Sequence, residues 1–177
     1  HWPAYVSVRA RLNIGCPQCK KEWGTSFPEQ AIYFYLRKVT KAQNRYIFKG
    51  EEMDIFLGDK EWNTAIEYDG AYYHSTVKSQ NREKKKNQLW ADNGIRLIRI
   101  KEGDYDKVSN GIIYVKYQSD HTYLKWVINE ILKLCDKEEY IDQLDIDIER
   151  DRNQIYAQYI QSEKENSIVA RIPEVAK

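Results

Sequence analysis

Residues 53–74, which read MDIFLGDKEWNTAIEYDGAYYH, constrain the fold of this chain more than any other stretch. Two short apolar runs, 53–57 and 64–68, flank Gly58-Asp59-Lys60, and a glycine followed by polar residues is typical of a turn. If Gly58 pairs with Asn63 around a four-residue loop, the two runs form an antiparallel pair. The sequence therefore predicts a β-hairpin here.

Three acidic side chains lie on one face of this predicted hairpin. In the register given above, Asp54 is directly opposite Glu67, which holds the two Cβ atoms about 4.5–5.5 Å apart. Asp69 follows Glu67 by two residues, so its side chain points to the same face. Three carboxylates on one face repel one another at neutral pH, and a bound cation relieves that repulsion. We expect a metal site here; the alternative is the solvent-facing side of an edge hairpin.

Composition places the chain among globular proteins. Its 177 residues are enough for one domain with a sizeable core, and 42% of them are hydrophobic while 31% are charged. No apolar run approaches the roughly 20 residues that cross a bilayer, and there is no secretory signal pattern. The three cysteines suit a reducing compartment better than a disulfide framework. We expect a cytoplasmic, nucleoid-associated protein with no membrane partner.

The net charge of +1 hides a strong asymmetry along the chain. Residues 1–50 hold nine basic and two acidic side chains, and residues 78–86 hold five basic and one acidic. Residues 135–165 instead hold ten acidic and four basic side chains. Basic clusters beside a carboxylate site indicate a polyanionic substrate with a metal between the two. The alternative for each single cluster is a solvated helix face.

The Gly15-Cys16-Pro17-Gln18-Cys19 segment is typical of half a zinc site, because a Cys-x2-Cys turn points two thiolates at one ion. A structural zinc needs four ligands, and Cys135 lies within an apolar helical pattern that indicates a core thiol. A redox dithiol is the competing interpretation of Cys16 and Cys19. Zinc binding is expected only with ligands supplied from outside this segment.

Hydrophobic periodicity predicts helices and strands in the order α-β-β-β-α-β-β-α. The predicted elements are a helix over 26–39, strands near 45–49, 53–58 and 63–70, a helix over 80–93, strands over 96–100 and 112–117, and a helix over 121–134. This order predicts an α/β (α+β) fold with a mixed central sheet flanked by helices. The acidic segment after residue 137 is expected to be a long helix that leaves the domain.

Residues 26 to about 134 resemble the PD-(D/E)xK restriction-endonuclease-like nucleases. The matching segments are SFPEQAIYFYL, EMDIFL, AIEYDGAYYH and REKKKNQLWADNGIRLIRIKE. The resemblance is closest to the branch that contains the very-short-patch mismatch repair endonucleases. It implies a restriction-endonuclease-like core and a metal-dependent endonuclease that hydrolyses DNA in restriction, defence or repair.

The resemblance also implies roles for individual acids. Asp54 matches the first metal-binding aspartate of these nucleases, and Glu67 matches their second acid. Glu29 matches an acid on the first helix that reaches the metal directly or through water. Because Ser26 and Glu29 also fit a capping box, Glu29 has an alternative role in starting that helix. The implied cofactor is Mg²⁺ or Mn²⁺, both of which prefer oxygen ligands.

The sequence departs from the family pattern at one catalytic position. The family places a lysine two residues after the second acid, where this chain has Asp69. Lys86 on the following helix is the first candidate to replace it, Lys78 is the second, and His74 is a further candidate. A lysine at such a site orients the attacking water and lowers its pKa.

Basic residues are expected to hold the nucleic acid through its phosphates. The candidates are Lys78, Arg82, Lys84 and Lys85 on the basic helix, with Arg9 and Arg11 nearer the start of the chain. DNA is the expected substrate, and RNA is not excluded. The alternative function is an inactive nuclease fold that binds nucleic acid or a protein partner.

The two ends resemble parts of zinc-ribbon modules that flank such nucleases. We expect residues 1–25 to be the second half of one ribbon and residues 167–177 to begin another. Residues 26–137 are then the nuclease-like domain, and residues 138–166 are an acidic helical linker. On this interpretation the chain is a segment of a longer protein.

Overall fold

The structure is a computed structural model that describes residues 26–70 and 77–169, apart from the side chains of 77–80, 82 and 159–169. Several predicted features lie outside the described residues: the segments 1–25 and 170–177, with Arg9, Arg11, Cys16 and Cys19, and also His74. The side chains of Lys78 and Arg82 lie outside them as well.

The described chain forms one mixed sheet of six strands with helices packed against it. The elements in chain order are α1 (Phe27–Leu36), β1 (Ala42–Phe48), β2 (Glu51–Leu57), β3 (Thr64–Asp69), α2 (Val77–Asp92), β4 (Arg96–Gly103), β5 (Lys107–Ser109), β6 (Ile112–Lys116), α3 (Leu124–Leu134), a 3-10 turn (Glu138–Tyr140) and α4 (Ile148–Val169). The spatial order of the strands is β1-β2-β3-β4-β6-β5. Strands β3, β4 and β6 run parallel, and the other neighbours are antiparallel.

The turns that join the antiparallel strands have local causes. Lys49 and Gly50 connect β1 to β2 with φ of 49° and 82°, and Asn110 and Gly111 connect β5 to β6 with φ of 52° and 75°. Two successive residues with positive φ make the turn that matches the twist of a two-residue hairpin. Glycine reaches this region without strain, and asparagine tolerates it better than most residues.

The predicted hairpin is present as β2 and β3, and its paired residues have the predicted register. Its aligned pairs are Ile55 with Ile66, Phe56 with Ala65, and Leu57 with Thr64. The pairing ends at Ile55 and Ile66; Asp54 and Glu67 are the next residues on the two strands, and the charge of Asp54 is near enough to raise the pKa of Glu67. The alternation of apolar side chains and the turn at Gly58 together determine this register, because a slip of one residue would move the buried face into solvent.

The hydrophobic core lies mainly on one face of the sheet. Helices α1, α3 and α4 cover that face, and α3 contributes five fully buried residues, Leu124, Val127, Ile128, Ile131 and Leu132. Cys135 at the end of α3 is buried in this core, so the prediction of a core thiol is confirmed. A second, smaller cluster of Met53, Ala65, Trp90 and Ile95 lies where α2 packs on the other face.

The predicted element order is incomplete by one strand. β5 has only three residues, too few to show an alternating pattern, and it forms by pairing with β6. The Asn110-Gly111 dipeptide, a strong hairpin signal, could have revealed it. The mixed α+β architecture with helices flanking a mixed sheet is otherwise as predicted.

The acidic segment after residue 137 packs on the core, which differs from the expected helix leaving the domain. Leu144, Ile146, Ile148 and Ile155 are all buried in the main core cluster. Their apolar side chains pack in the same core as α1. Of the acidic residues between them, Asp145, Asp147 and Glu149 are exposed, whereas Asp151 is buried and accepts a hydrogen bond from Tyr35. None of the helices in the described part of the chain is long and apolar enough to cross a membrane.

Candidate active site

Asp54 lies at the centre of β2, where neighbouring strands hold it in place. Its Oδ2 accepts a hydrogen bond of 2.8 Å from the backbone N–H of Tyr68, and its carbonyl accepts one of 3.0 Å from Nδ2 of Asn44. Burial raises the pKa of the Asp54 carboxyl above its usual range, and the Tyr68 N–H and the charge of Lys86 oppose that rise. The carboxylate is thus directed and partly desolvated.

Glu67 is the adjacent acid on β3, and only 5% of its surface is exposed. Nζ of Lys86 lies 2.7 Å from each of its carboxylate oxygens and donates a hydrogen bond to Oε2. Oε1 has no hydrogen-bond partner among the described residues. Burial and the neighbouring charge of Asp54 raise the pKa of Glu67 to about 7, against the lowering effect of Lys86 and Arg99.

Two neighbouring carboxyls with raised pKa values, Glu67 buried and Asp54 half-buried, are a setting that a cation would stabilise. The donors are hard oxygen atoms, and one of them, Oε1 of Glu67, is buried with an ion-pair contact of 2.7 Å to Nζ of Lys86 but no hydrogen bond of good geometry to a described residue. Mg²⁺ is commonly held by one or two carboxylates, with water and substrate phosphate completing its coordination. The residues present therefore fit Mg²⁺ or Mn²⁺.

A complete set of protein ligands is not assembled in the described part of the chain. Within residues 26–70 and 77–169, no three His, Cys, Asp or Glu side chains converge as a metal cage. The predicted trio of Asp54, Glu67 and Asp69 is therefore not a ready-made site. Its first two members lie together, and the third has a different contact.

Asp69 forms a buried ion pair with Arg99. Nη1 of Arg99 lies 2.7 Å from Oδ2 of Asp69, and the arginine is only 6% exposed. The same guanidinium donates to Oδ1 of Asn87 at 2.8 Å and lies 3.4 Å from Glu83. Both of these partners are on α2, so Arg99 joins α2 to strands β3 and β4 beside the Glu67–Lys86 pair.

Glu29 occupies the first turn of α1 and makes the predicted capping box. Its backbone N–H donates to Oγ of Ser26 at 3.3 Å, and its Oε2 accepts from the Ser26 N–H at 3.4 Å. Its other oxygen, Oε1, accepts from Nδ2 of Asn44 at 3.0 Å. Since that amide also donates to the Asp54 carbonyl, Glu29 reaches the acidic centre through Asn44.

The basic helix divides into an inner and an outer face. Lys84 and Lys85 are exposed, whereas Lys86 is turned towards Glu67 with 14% of its side chain exposed. Helical geometry explains the division, because Glu83, Lys86 and Asn87 are three and four residues apart and share one face. The outer lysines are available to a phosphate backbone.

Sequence reasoning missed four contributors to this site: Arg99, Asn87, Glu83 and Asn44. One signal was present for Arg99, namely a charged residue in the middle of the apolar strand RLIRI. Its partners could not be identified, because β3 pairs with β4 across 32 residues and the parallel register sets Arg99 beside Glu67.

Comparison with known proteins adds little to this geometry. The chain matches no family model, and it matches no curated protein. Among solved structures, the catalytic domain of the homing endonuclease I-Bth0305I aligns with 44% of this chain and 76% of its own, at 24% identity and a TM-score of 0.35. An overlap of that quality assigns neither a fold family nor a function, so the function rests on the site.

Proposed function

We propose that this chain is a metal-dependent endonuclease that hydrolyses DNA phosphodiester bonds, with a PD-(D/E)xK-type centre. The observation that carries the proposal is the cluster of Asp54, Glu67 and Lys86. Two acids lie near each other on adjacent strands, and a lysine from α2 lies 2.7 Å from the second acid. Two carboxylates and one lysine are the groups that such hydrolysis requires of a protein.

The carboxylates of Asp54 and Glu67 would hold the ion, with Glu29 contributing through Asn44 or water. When bound, Mg²⁺ or Mn²⁺ activates water and neutralises charge on the phosphate. The Tyr68 N–H and the Asn44 amide keep Asp54 fixed. The chain therefore supplies a preorganised anionic pocket rather than a full metal cage.

Lys86 takes the place of the motif lysine in this proposal. Asp69 stands at the family's lysine position, and its carboxylate is engaged by Arg99. Lys86 is on α2 rather than on β3, and its ammonium donates a hydrogen bond to Oε2 of Glu67. From there its ammonium would orient the attacking water and lower the pKa of that water.

Affinity for the substrate would come from the outer face of α2. Lys84 and Lys85 are exposed there, close in sequence to the inward-facing Lys86. Contacts between lysine and phosphate strengthen binding without reading the base sequence. DNA is accordingly proposed as the partner, in a restriction, defence or repair process.

The proposal is tested by incubating supercoiled plasmid with the protein in Mg²⁺, Mn²⁺ or EDTA. Wild type is expected to nick or cut with either metal and not in EDTA. Asp54→Asn and Glu67→Gln are expected to abolish cleavage while DNA binding in EDTA persists. Glu138→Gln, at an exposed position far along the chain, is the matched control.

The alternative, an inactive fold that only binds nucleic acid, predicts different results. Under this alternative, the wild type binds DNA but does not cut it. The affinity for Mn²⁺ is then the same for wild type and for Asp54→Asn. That pair of results would overturn the nuclease proposal.

A further inference from the structure

The face of the sheet that carries the acids continues beyond α2 as a row of aligned side chains. Parallel register sets Asp69 beside Lys101 and Lys101 beside Tyr114. Antiparallel register then sets Tyr114 opposite Lys107. Laterally paired residues point to the same side of a sheet. Tyr114 is thus on the same face as the acidic centre, with a lysine on each neighbouring strand.

A second aromatic ring extends this row into solvent. Tyr105, in the loop after β4, is 58% exposed, and its ring is nearly parallel to that of Tyr114. The ring centroids are 6.0 Å apart, with 29° between the planes. The loop is held by a hydrogen bond of 2.7 Å from the Lys116 N–H to Oδ1 of Asp106. Tyr105 therefore presents an exposed aromatic face on an anchored loop.

Helix α3 packs on the other side of this part of the sheet. Ile113 and Val115 of β6 are buried in the core that α3 helps to form, so Tyr114 between them points away from it. Helix α2 packs against β4. Tyr114 stays partly exposed beyond that helix.

Charges of both signs surround the two rings, and three of them are lysines, Lys101, Lys107 and Lys116. Lys107 and Lys116 are exposed and have no ion pair within the described parts of the chain, whereas Lys101 lies 3.5 Å from Glu83. Among the nearby acids, Asp106 accepts the Lys116 N–H. Asp104, which adjoins Tyr105, is exposed. Aromatic rings beside exposed lysines fit a ligand that has both flat rings and negative charge.

We propose that Tyr105, Tyr114, Lys101, Lys107 and Lys116, the tyrosine surface, bind an unpaired stretch of the DNA substrate. A base stacks on Tyr105, and the lysines contact the flanking phosphates. The base must be unpaired, because inside a duplex both faces of a base are already stacked. This inference rests on the proposed function and specifies its substrate as DNA that is single-stranded near the cleavage site.

The position of the surface suits this role. Tyr114 is two strands from Glu67 across the sheet, and neighbouring strands are about 4.8 Å apart, which gives a lateral offset of roughly 10 Å. Successive phosphates of one strand are about 3.4 Å apart along a duplex axis and farther apart when the strand is extended. A strand with one phosphate at Glu67 therefore reaches the tyrosine surface within a few nucleotides.

The test measures DNA binding in EDTA, where no cleavage occurs, by fluorescence anisotropy. The probes are a labelled single-stranded oligonucleotide of mixed sequence and the duplex of the same sequence. Tyr105→Leu and Tyr114→Leu are each expected to weaken single-strand binding roughly 5- to 100-fold and duplex binding much less. Tyr105→Phe, which keeps the ring, is expected to bind like wild type.

Salt dependence tests the lysines independently. Lys107→Gln is expected to reduce the slope of log affinity against log salt for the single strand by about 0.7. Lys125→Gln, an exposed lysine on α3 at the opposite face, is the matched control and is expected to leave the slope unchanged. Thermal melting of every variant confirms that each is folded before its affinity is compared.

Three results would overturn the inference: Leu variants that bind the single strand like wild type, a Tyr105→Phe variant as weak as Tyr105→Leu, or equal losses on single strand and duplex. Its failure is distinguishable from failure of the proposed function. If the protein cuts plasmid but the tyrosine variants show no selective loss of single-strand binding, only the inference about the tyrosine surface is wrong. If the protein binds single strands through the tyrosines but cuts no DNA, only the proposed nuclease function is wrong.

Discussion

At the scale of single residues, the contact between Lys86 and Glu67 is the feature that most affects the proposed chemistry. The lysine comes from α2, 19 residues after the acid it contacts at 2.7 Å. A charged lysine buried beside a carboxylate is stabilised by that pairing, which keeps its ammonium in one orientation. The position of the ammonium therefore depends on how α2 packs.

Replacing this lysine tests its role. We expect Lys86→Met to lower the rate of plasmid nicking about 10²- to 10⁴-fold, because the attacking water loses the cation that orients it and lowers its pKa. Lys85→Met, a neighbouring lysine that is exposed, is the control for general loss of charge. Nicking by Lys86→Met at the wild-type rate would assign the function to another residue.

Arg99 is the residue whose loss should affect stability most directly. It is buried and contacts Asp69, Asn87 and Glu83, so Arg99→Met removes the positive charge that lies 2.7 Å from the Asp69 carboxylate. Removing one partner of a buried ion pair costs about 3–5 kcal/mol of unfolding free energy. Urea denaturation monitored by tryptophan fluorescence measures this loss.

The control for Arg99 is an exposed pair. Glu52→Gln breaks the Arg45–Glu52 contact of 3.3 Å, in which both side chains are more than a third exposed. Such a pair contributes about 0–1 kcal/mol. If the two variants unfold at the same urea concentration, Arg99 does not have the clamping role given to it.

At the scale of secondary-structure elements, the first turn of α1 serves both folding and the site. The Ser26 side chain accepts a hydrogen bond from the Glu29 N–H, and the Glu29 side chain accepts one from the Ser26 N–H. The Glu29 carboxylate also accepts a hydrogen bond from Asn44. We expect Ser26→Ala to cost about 1 kcal/mol of stability without changing the Mg²⁺ requirement for cleavage. We expect Glu29→Gln to raise that requirement while stability stays near wild type.

Measuring Ser26→Ala and Glu29→Gln side by side decides between the two roles of Glu29, helix capping and metal binding. Chemical denaturation measures the cap, and cleavage rate against Mg²⁺ concentration measures the site. A Glu29→Gln variant that loses stability and keeps the wild-type Mg²⁺ dependence would reduce Glu29 to a capping residue.

Helix α4 is joined to α1 by a buried polar contact. The Tyr35 hydroxyl donates to Oδ2 of Asp151 at 2.8 Å. Hydrogen bonds from Arg150 and then from Tyr35 lower the pKa of the Asp151 carboxyl to about 2 in the folded state, against the opposing effect of burial. An unfolded aspartate titrates near 3.9, so the unfolded chain binds this proton more tightly.

This difference makes stability depend on pH. The contribution of Asp151 is fully present above about pH 4, and it is lost as the pH falls through the folded pKa towards 2. As the pH falls across that window, we expect the unfolding free energy measured in urea to decrease more steeply for wild type than for Asp151→Asn. Asp142→Asn, at an exposed carboxyl, should keep the wild-type slope. Parallel slopes for wild type and Asp151→Asn would contradict the assignment.

At the scale of the whole molecule, the acidic segment is part of the folded unit. Ile155 of α4 is fully buried in the main core, alongside residues of α1 and α3. We expect Ile155→Ala to lower the unfolding free energy by about 2–5 kcal/mol, because a buried cavity remains. Ile47→Ala, at a side chain that is 65% exposed, should change it by about 0.5 kcal/mol or less.

Differential scanning calorimetry of both variants checks this prediction. A shift for Ile155→Ala no larger than that for Ile47→Ala would mean that α4 is detached in solution, as the acidic composition of the segment had led us to expect. A large shift extends the folded unit beyond residue 137.

Local patterns alone determined much of this protein. The register of the β2–β3 hairpin follows from a period of two and a glycine turn, so the nearness of Asp54 to Glu67 could be predicted from nearby residues. The same holds for the capping box at Ser26 and for the apolar face of α3. In each case the residues that interact are close together in sequence, and their spacing alone brings them into contact.

Only the tertiary structure decided the rest. The parallel pairing of β3 with β4 sets Arg99 beside Asp69, and the packing of α2 selects Lys86 rather than its neighbours to face Glu67. The packing of α4 buries Ile155 despite its acidic surroundings. These contacts join residues far apart in the chain, and their geometry depends on how whole elements pack, which no local spacing encodes.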